Sequence, residues 1–378
     1  MEIEKLNSSL DIKTILKNLG VDDGGVEILS QKAKIHIISI KKLHVGAANI
    51  LKQDALSIGA DLAVPRGTVI AKDPEVDCLL IATSAQLYKL SKKELMQPFG
   101  LKELAKKLSL FLKIKSVDKV EIMGVINAND DSFFSGSRFI EEDAIERIYT
   151  MIKEGASIID IGGVSSAPNS TNVSAQEELQ RVKPILSIIK EKKIYQKVKF
   201  SIDSSEPIVI KQALESGFSI VNDIRGLEDE EVIKLCASYK ATVVLMHMQG
   251  TPSSMQINPN YTNILSEIYQ FFEQRVARAR GMGVENFILD VGIGFGKTLE
   301  HNLELIKNLE HFKTLGEPLL IGASRKSMID KMSKSGVENR LGGTLALHLE
   351  AIRNGAQYLR VHDVYEHAQA IKVTSYLN

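Results

Sequence analysis

The sequence predicts an α/β protein in which a small N-terminal α/β domain precedes a (β/α)8 TIM barrel. Three observations lead there. From about residue 121 onward, short β-branched runs recur between longer helical stretches, the alternation of a parallel sheet covered by helices. Most of these runs are apolar for four or five residues without alternation, as strands buried on both faces are. Each run ends in a polar or glycine-bearing segment, and in a barrel those strand ends meet on one face.

Eight runs read as strands: EIMGVIN (121–127), SIIDIGG (157–163), VKFSID (198–203), SIVNDI (219–224), TVVLMHM (242–248), NFILDVG (286–292), PLLIGAS (318–324) and QYLRVHD (357–363). Helices are expected over 141–154, 175–191, 206–216, 229–239, 262–282, 300–310, a short stretch after 325, 341–354 and 364–373. A doubly wound open sheet is the alternative, but NANDDSFFSGS after the first strand lacks the GxGxxG of that architecture. The boundary is set at 118/119, giving a 1–118 extension of unknown role and a 119–378 barrel. In the extension, strands are expected at 33–40 and 78–83 and helices at 47–58, 84–94 and 99–112. GADLAVPRG (59–67) reads as a surface turn.

A chain of 378 residues is long enough for such a two-part arrangement and for a sizeable core. Its 47 Lys and Arg balance 47 Asp and Glu, which argues against the broad basic field of a nucleic-acid binder but leaves room for a local anion site. Cys78 and Cys236 supply no disulfide framework or zinc cage and are expected to be buried small hydrophobes in a reducing cytoplasm. The N-terminus has no apolar leader, and AKIHIISIKKLHV is broken by lysines, so a soluble protein without membrane partners is expected.

Polar residues at the strand ends form a specific list: Asn127, Asp160, Asp203, Asn222, Asp223, His247, Asp290, Ser324, Arg325, Lys326, Arg360, His362 and Asp363. Each costs roughly 1–3 kcal/mol inside an apolar strand unless paired, so this many are not structural accidents. Asp203, Asn222 and Asp290 suit the donor and acceptor edge of a flat, nitrogen-rich heterocycle such as a pterin or purine. Arg360, His362, Ser324 and Asn127 suit a diphosphate and a magnesium ion, the guanidinium and imidazole holding phosphate oxygens and the amide oxygen ligating the metal. DVGIGFGK (290–297) misses the phosphate-loop spacing; its glycines are read as permitting a tight path beside a flat ligand, with Phe295 packed near it and Lys297 as a further cation. His247 is read as a core histidine or a ligand contact, whereas His36, His44, His301, His311, His348 and His367 are expected at the surface.

The ordered segments IMGVINANDDSFF (122–134), DIGG (160–163), SID (201–203), IVNDI (220–224), VVLMHMQGTP (243–252), LDVGIGFGK (289–297), GASRKSM (322–328) and RVHDV (360–364) resemble the dihydropteroate synthase family of pterin-binding enzymes over about residues 121–373. The resemblance implies condensation of 6-hydroxymethyl-7,8-dihydropterin diphosphate with 4-aminobenzoate in folate biosynthesis, with Mg2+ as cofactor. It implies that Asp203, Asn222, Asp290 and Lys326 bind the pterin, with Met246 and Phe295 against the ring and Gly322 a further substrate-binding residue. It implies that Asn127, Arg360 and His362 form the diphosphate and metal set, with Asn127 as the metal ligand and Ser324 a further substrate-binding residue. Asp203, Asp290, Lys326 and Arg360 are the residues implied to act in catalysis. Asn129 and Ser166 fall in the two loops implied to hold aminobenzoate.

Those loops depart from the family pattern. Asn129 and Asp130 stand where a threonine and a proline are usual, and Val164–Pro168 replaces a glutamate, serine, threonine, arginine, proline series. Ala167 cannot substitute for that arginine, so altered loop contacts on a working enzyme are expected. The alternatives are a pterin-dependent corrinoid methyltransferase, which needs no diphosphate site, and a non-catalytic pterin-binding protein. The resemblance also implies a homodimer through helices 341–354 and 364–373, and sulfonamides as competitors of aminobenzoate.

Overall fold

The computed structural model describes residues 1–7, 10–114, 117, 119–128, 138–164 and 173–377, apart from the side chains of 138–142. It divides into two compact units, Met1–Lys115 and Ser116–Leu377.

In the first unit, β1 (Ile35–His44) and β3 (Glu75–Thr83) pair antiparallel, and the short β2 (Asp61–Ala63) pairs with the other side of β3. β3 alternates strictly, with Val76, Cys78, Leu80 and Ala82 buried, as a one-sided antiparallel strand must. The covering layer is α3 (Val45–Ser57), α4 (Ser84–Lys93) and α5 (Leu101–Phe111), which contribute Leu51, Leu87, Leu90, Leu101 and Leu108 to one core. Thr83 and Gln86 close α4 with a reciprocal capping box. Two helices unanticipated from the sequence, α1 (Ile12–Asn18) and α2 (Asp23–Ala33), precede the sheet. The 59–67 segment, expected as a turn, contains β2, where Leu62 is buried in the core.

Glu94 is fully buried at the end of α4, with both carboxylate oxygens lacking a hydrogen-bond partner. Burial, followed by the neighbouring Asp54 carboxylate, pushes it up to about 7. A carboxyl group raised on folding favours the folded state below its unfolded value near 4.5, and this stability is lost as pH rises through about 7. Glu94→Gln is therefore expected to raise the melting temperature at pH 8.5 while changing it little at pH 5. Thermal melts at the two pH values check this, and an equal shift at both would contradict it.

The second unit is a closed barrel in the order β10-β11-β4-β5-β6-β7-β8-β9, every adjacent pair parallel. Its strands are β4 (Glu121–Asn127), β5 (Ile158–Gly162), β6 (Lys199–Asp203), β7 (Ile220–Asp223), β8 (Thr242–Met246), β9 (Asn286–Asp290), β10 (Leu319–Ile321) and β11 (Tyr358–Val361). Helices α6 (Arg138–Glu154), α7 (Ala175–Glu191), α8 (Pro207–Glu215), α9 (Glu230–Ser238), α10 (Ile264–Gly281), α11 (Leu299–Lys307), α12 (Ser327–Met332), α13 (Leu341–Arg353) and α14 (Val364–Ser375) follow the strands. The outward side chains of the strands and the inner faces of the helices form one large core. Inside, Met123, Ile158, Ile220, Val244, Ile288 and Leu320 form a separate apolar plug. Period two along each strand then places the next inward residues, Asp160, Asn222, Met246 and Arg360 among them, directly above it.

Both cysteines are buried, and burial raises both thiols, Cys236 to about 12. Two of the histidines expected at the surface are not there: His348 on α13 and His367 on α14 are each 1% exposed. No helix among the described residues is long and apolar enough to cross a membrane.

Candidate active site

Strand register brings the heterocycle-reading residues together. Asp203 pairs with Asn222 across β6 and β7, and Met246 pairs with Asp290 across β8 and β9, so four inward side chains occupy the top of four consecutive strands. Asn222, Met246 and Asp290 are buried. Asn222 Nδ2 donates to Asp160 Oδ2 at 3.2 Å. Burial raises Asp290, against the pull of Lys326 and the hydrogen bond its Oδ1 accepts from Gly292 N at 2.8 Å.

The loop after β9 is bent by glycines at two close approaches. A Cβ on Gly292 would lie 1.9 Å from the His247 carbonyl oxygen, and one on Gly296 would lie 2.4 Å from that of Gln249. Their φ values of 68° and 63° are also left-handed, so both positions require glycine. The tight path expected from the sequence is thus real, and it carries Phe295 to within 4.5 Å of Lys326 Nζ, ammonium over ring. Lys326 Nζ also donates to the Ile293 carbonyl. Burial lowers Lys326 to about 8, with Asp290 opposing the shift.

Lys297 is not an open cation. It is 3% exposed, and its ammonium donates to His247 Nδ1 at 3.0 Å, His247 O at 3.3 Å and Phe295 O at 2.9 Å, one acceptor for each proton. Burial lowers it to about 7 and lowers His247 to about 2, so the imidazole is neutral. His247 is buried and hydrogen-bonded to Lys297, stapling the β8 end to the β9 loop.

Arg360 departs from its expected place with the diphosphate group alone. Its Nε donates to Asp160 Oδ2 and its Nη2 to Asp203 Oδ2, each at 2.7 Å, which binds it to the carboxylates of the ring-reading set. The cause is register: Arg360 pairs with Met123, whose neighbour across β5 is Ile158, so Asp160 stands one inward step above that level. Asp160, in the sequence a strand carboxylate without a role, is fully buried and is the hub that joins Arg360 to Asn222. Burial pushes Asp203 up, Arg360 opposes it and Asp160 adds to it.

On the other side, Ser324 Oγ meets His362 Nδ1 at 2.9 Å. Desolvation of its ring, then the nearby Arg360 cation, hold His362 below its ordinary range, so it is neutral at neutral pH. A Cβ on Gly322 would lie 3.7 Å from Arg360 Cβ, ordinary contact, so that glycine keeps space open rather than relieving a clash. Asn127 is exposed at the end of β4. Asn129, Ser166 and Ala167 lie outside the described residues.

Arg325, between Ser324 and Lys326, has a left-handed φ of 55°. Its Nε and Nη2 donate to Asp363 Oδ2 and Oδ1 at 2.9 and 2.6 Å, its N donates to Thr344 Oγ1 at 2.9 Å, and its carbonyl accepts from Arg340 at 3.1 Å. A non-glycine residue in this region persists where the surroundings over-determine it, and here they present Lys326 to the site.

Among the described residues no group of three or more His, Cys, Asp or Glu side chains is arranged to hold a metal. Magnesium is commonly held by one or two protein oxygens with substrate phosphates and waters completing its shell, and the Asn127 amide oxygen fits that description.

A buried amide and carboxylate edge beneath a cationic rim, at the open end of a (β/α)8 barrel, defines a site for a flat heterocycle bearing an anion. The chain belongs to the pterin binding enzyme family, whose pattern matches residues 123–362. Its relatives narrow this to the dihydropteroate synthases, which are transferases. A bifunctional dihydropteroate synthase/dihydropteroate reductase of Helicobacter pylori is 42% identical over 373 residues, spanning 99% of this chain and 98% of that one. The dihydropteroate synthase of Yersinia pestis, solved with a sulfonamide drug, is 34% identical with a TM-score of 0.65, covering 70% of this chain and 96% of that one. The Thermus thermophilus enzyme, solved with 4-aminobenzoate, is 36% identical with a TM-score of 0.62, covering 70% and 96%.

Proposed function

We propose that this chain joins 6-hydroxymethyl-7,8-dihydropterin diphosphate to 4-aminobenzoate, giving 7,8-dihydropteroate and diphosphate. The observation that carries the reading is the convergence of Asp203, Asn222, Asp290 and Lys326 at the ends of β6, β7, β9 and β10. The carboxylates accept from the amino and ring N–H groups of a pterin, in paired fashion where two donors face one carboxylate. Lys326 and Asn222 supply donors for the oxo group and ring nitrogens, and Met246 and Phe295 supply apolar contact.

The carbon–oxygen bond to the diphosphate breaks as positive charge develops on the pterin methylene and spreads into the ring. Asp203 and Asp290 stabilise that charge from a buried position where field strength is high. Arg360 and the neutral His362 hold the departing diphosphate oxygens, the ring donating from Nε2–H while Ser324 Oγ donates to its Nδ1 and fixes that tautomer. The aniline nitrogen then forms the new carbon–nitrogen bond and releases its proton to diphosphate or water, so no strong base is needed. When bound, magnesium, with Asn127 as its protein ligand, neutralises charge on the diphosphate.

The test is diphosphate release from the purified chain with pterin diphosphate and magnesium, with and without 4-aminobenzoate. Aminobenzoate-dependent release supports the synthase; none in either case turns the weight to a corrinoid-type methyltransferase or a binding protein. Sulfonamides should compete with aminobenzoate in the same assay. A cytoplasmic homodimer belongs to this reading. Tyr365, Val373, Tyr376 and Leu377, each more than half exposed on or just past α14, support the pairing, which sedimentation tests.

A second activity is supported by one observation. The Helicobacter pylori relative, whose name includes a reductase, aligns over 99% of this chain, whereas the two synthase structures cover 70%. On this reading the chain also transfers a hydride, from a reduced nicotinamide or flavin, and a proton to the C=N bond of dihydropteroate. Donor oxidation dependent on dihydropteroate tests it.

A further inference from the structure

Behind the Ser324–Lys326 segment lie two buried imidazoles that no step above uses. His348, on α13, accepts a hydrogen bond at Nε2 from Ala323 N at 3.0 Å. A backbone N–H only donates, so Nε2 carries no proton and Nδ1 carries one. His348 Nδ1 lies 2.8 Å from His367 Nε2 on α14, which must therefore accept. His367 is then protonated at Nδ1, which donates to the Asp363 carbonyl at 2.5 Å. Every ring nitrogen is used once, in a single tautomeric order that runs from the backbone just after β10 to the backbone just after β11.

Both ends of this chain of bonds adjoin site residues. Ala323 is buried and precedes Ser324, whose hydroxyl meets His362; Asp363 follows His362 and holds Arg325 through both carboxylate oxygens. His348 also occupies the buried stripe of α13 with Thr344, whose hydroxyl accepts from Arg325 N. The charged and titratable groups facing the pair are Lys326 from the β10 loop, His362 and Asp363 from the β11 end, and Glu366 on α14. Burial disfavours the charged form of both rings, and for His348 the neighbouring imidazole adds to it.

We propose that His348 and His367 form a positioning relay that locks the Ala323–Lys326 backbone to the end of β11, holding Lys326 and His362 in the register that pterin diphosphate requires. Neither imidazole touches substrate; both act through the backbone that carries the residues that do. The inference rests on the synthase reading, and turnover by the unaltered chain in the same assay separates the two.

The experiment compares His348→Leu, which keeps bulk and removes the bonds, with His348→Gln, whose amide oxygen accepts from Ala323 N–H while its NH2 donates to His367. In His348→Leu, KM for pterin diphosphate is expected to rise about tenfold with kcat changed less than about twofold, and in His348→Gln to return to within about threefold of the parent. A folded His348→Leu with unchanged KM, or a KM rise that glutamine leaves uncorrected, overturns the proposal. Should His348→Leu fail to fold by circular dichroism, His367→Leu is read on the same scale: the KM rise supports the relay and an unchanged KM overturns it.

Discussion

Arg360→Ala is expected to lower kcat/KM by a factor of about 10^2–10^4. The guanidinium makes two charge-assisted bonds of 2.7 Å, to Asp160 and to Asp203, and such bonds contribute roughly 1.5–3 kcal/mol each. Removing one partner of a buried ion pair leaves an uncompensated charge and costs about 3–5 kcal/mol, so the variant should also melt earlier. The two effects separate in a double variant. Arg360→Ala with Asp160→Asn removes the stranded charge and should recover much of the melting temperature without recovering turnover, because the anion-holding fork is still missing. Arg360→Lys keeps the charge but not the planar fork and should fall between parent and alanine variant. Turnover of the alanine variant within tenfold of the parent would show that the guanidinium is only a structural counter-ion.

Lys326→Ala is expected to lose about 100-fold in kcat/KM, and its remaining activity should depend on pH in a particular direction. Burial raises Asp290 and Lys326 restrains it. Without the ammonium the carboxyl group rises further, and in its protonated form it no longer accepts from both donors of the pterin edge. Residual activity should therefore climb as pH rises and Asp290 ionises, with its midpoint above that of the parent. A pH profile of kcat/KM for both proteins measures this. A variant profile parallel to the parent's would mean that Lys326 acts without reference to Asp290.

Much of this site was legible because strands buried on both faces are written as unbroken apolar runs, against which one polar residue stands out. Asp203, Asn222, Asp290 and Arg360 were found that way, and the strand order then placed them at one mouth. Pairing was not legible. Asp160 was visible in DIGG, yet its cation is Arg360, 200 residues away, and only barrel closure through β11 and β4 brings them together. Lys297, expected as a further cation beside the ligand, is instead engaged inside the protein, and sequence does not show three acceptors waiting around an ammonium. The histidines of α13 and α14 were misread because an isolated imidazole resembles a surface residue. A signal did exist: His348 lies on the same stripe as Thr344 and Ala351, at the four- and three-residue spacings of a buried helix face. In the N-terminal unit β2 was missed because three residues with one buried leucine carry no period.

The apolar plug of Met123, Ile158, Ile220, Val244, Ile288 and Leu320 closes the barrel beneath the polar layer. A vessel sealed at one end has a single doorway, and traffic through it is last in, first out. On the proposed function the flat ring goes to the bottom, against Asn222 and Asp290, and the arylamine would come to rest on top of it. Aminobenzoate arriving first would block the way, so loading in the opposite order is obstructed. On the proposed function, a molecule that mimics the arylamine is therefore expected to do more than occupy its seat: it would close the doorway over a pterin already inside, and its inhibition should deepen as pterin diphosphate accumulates.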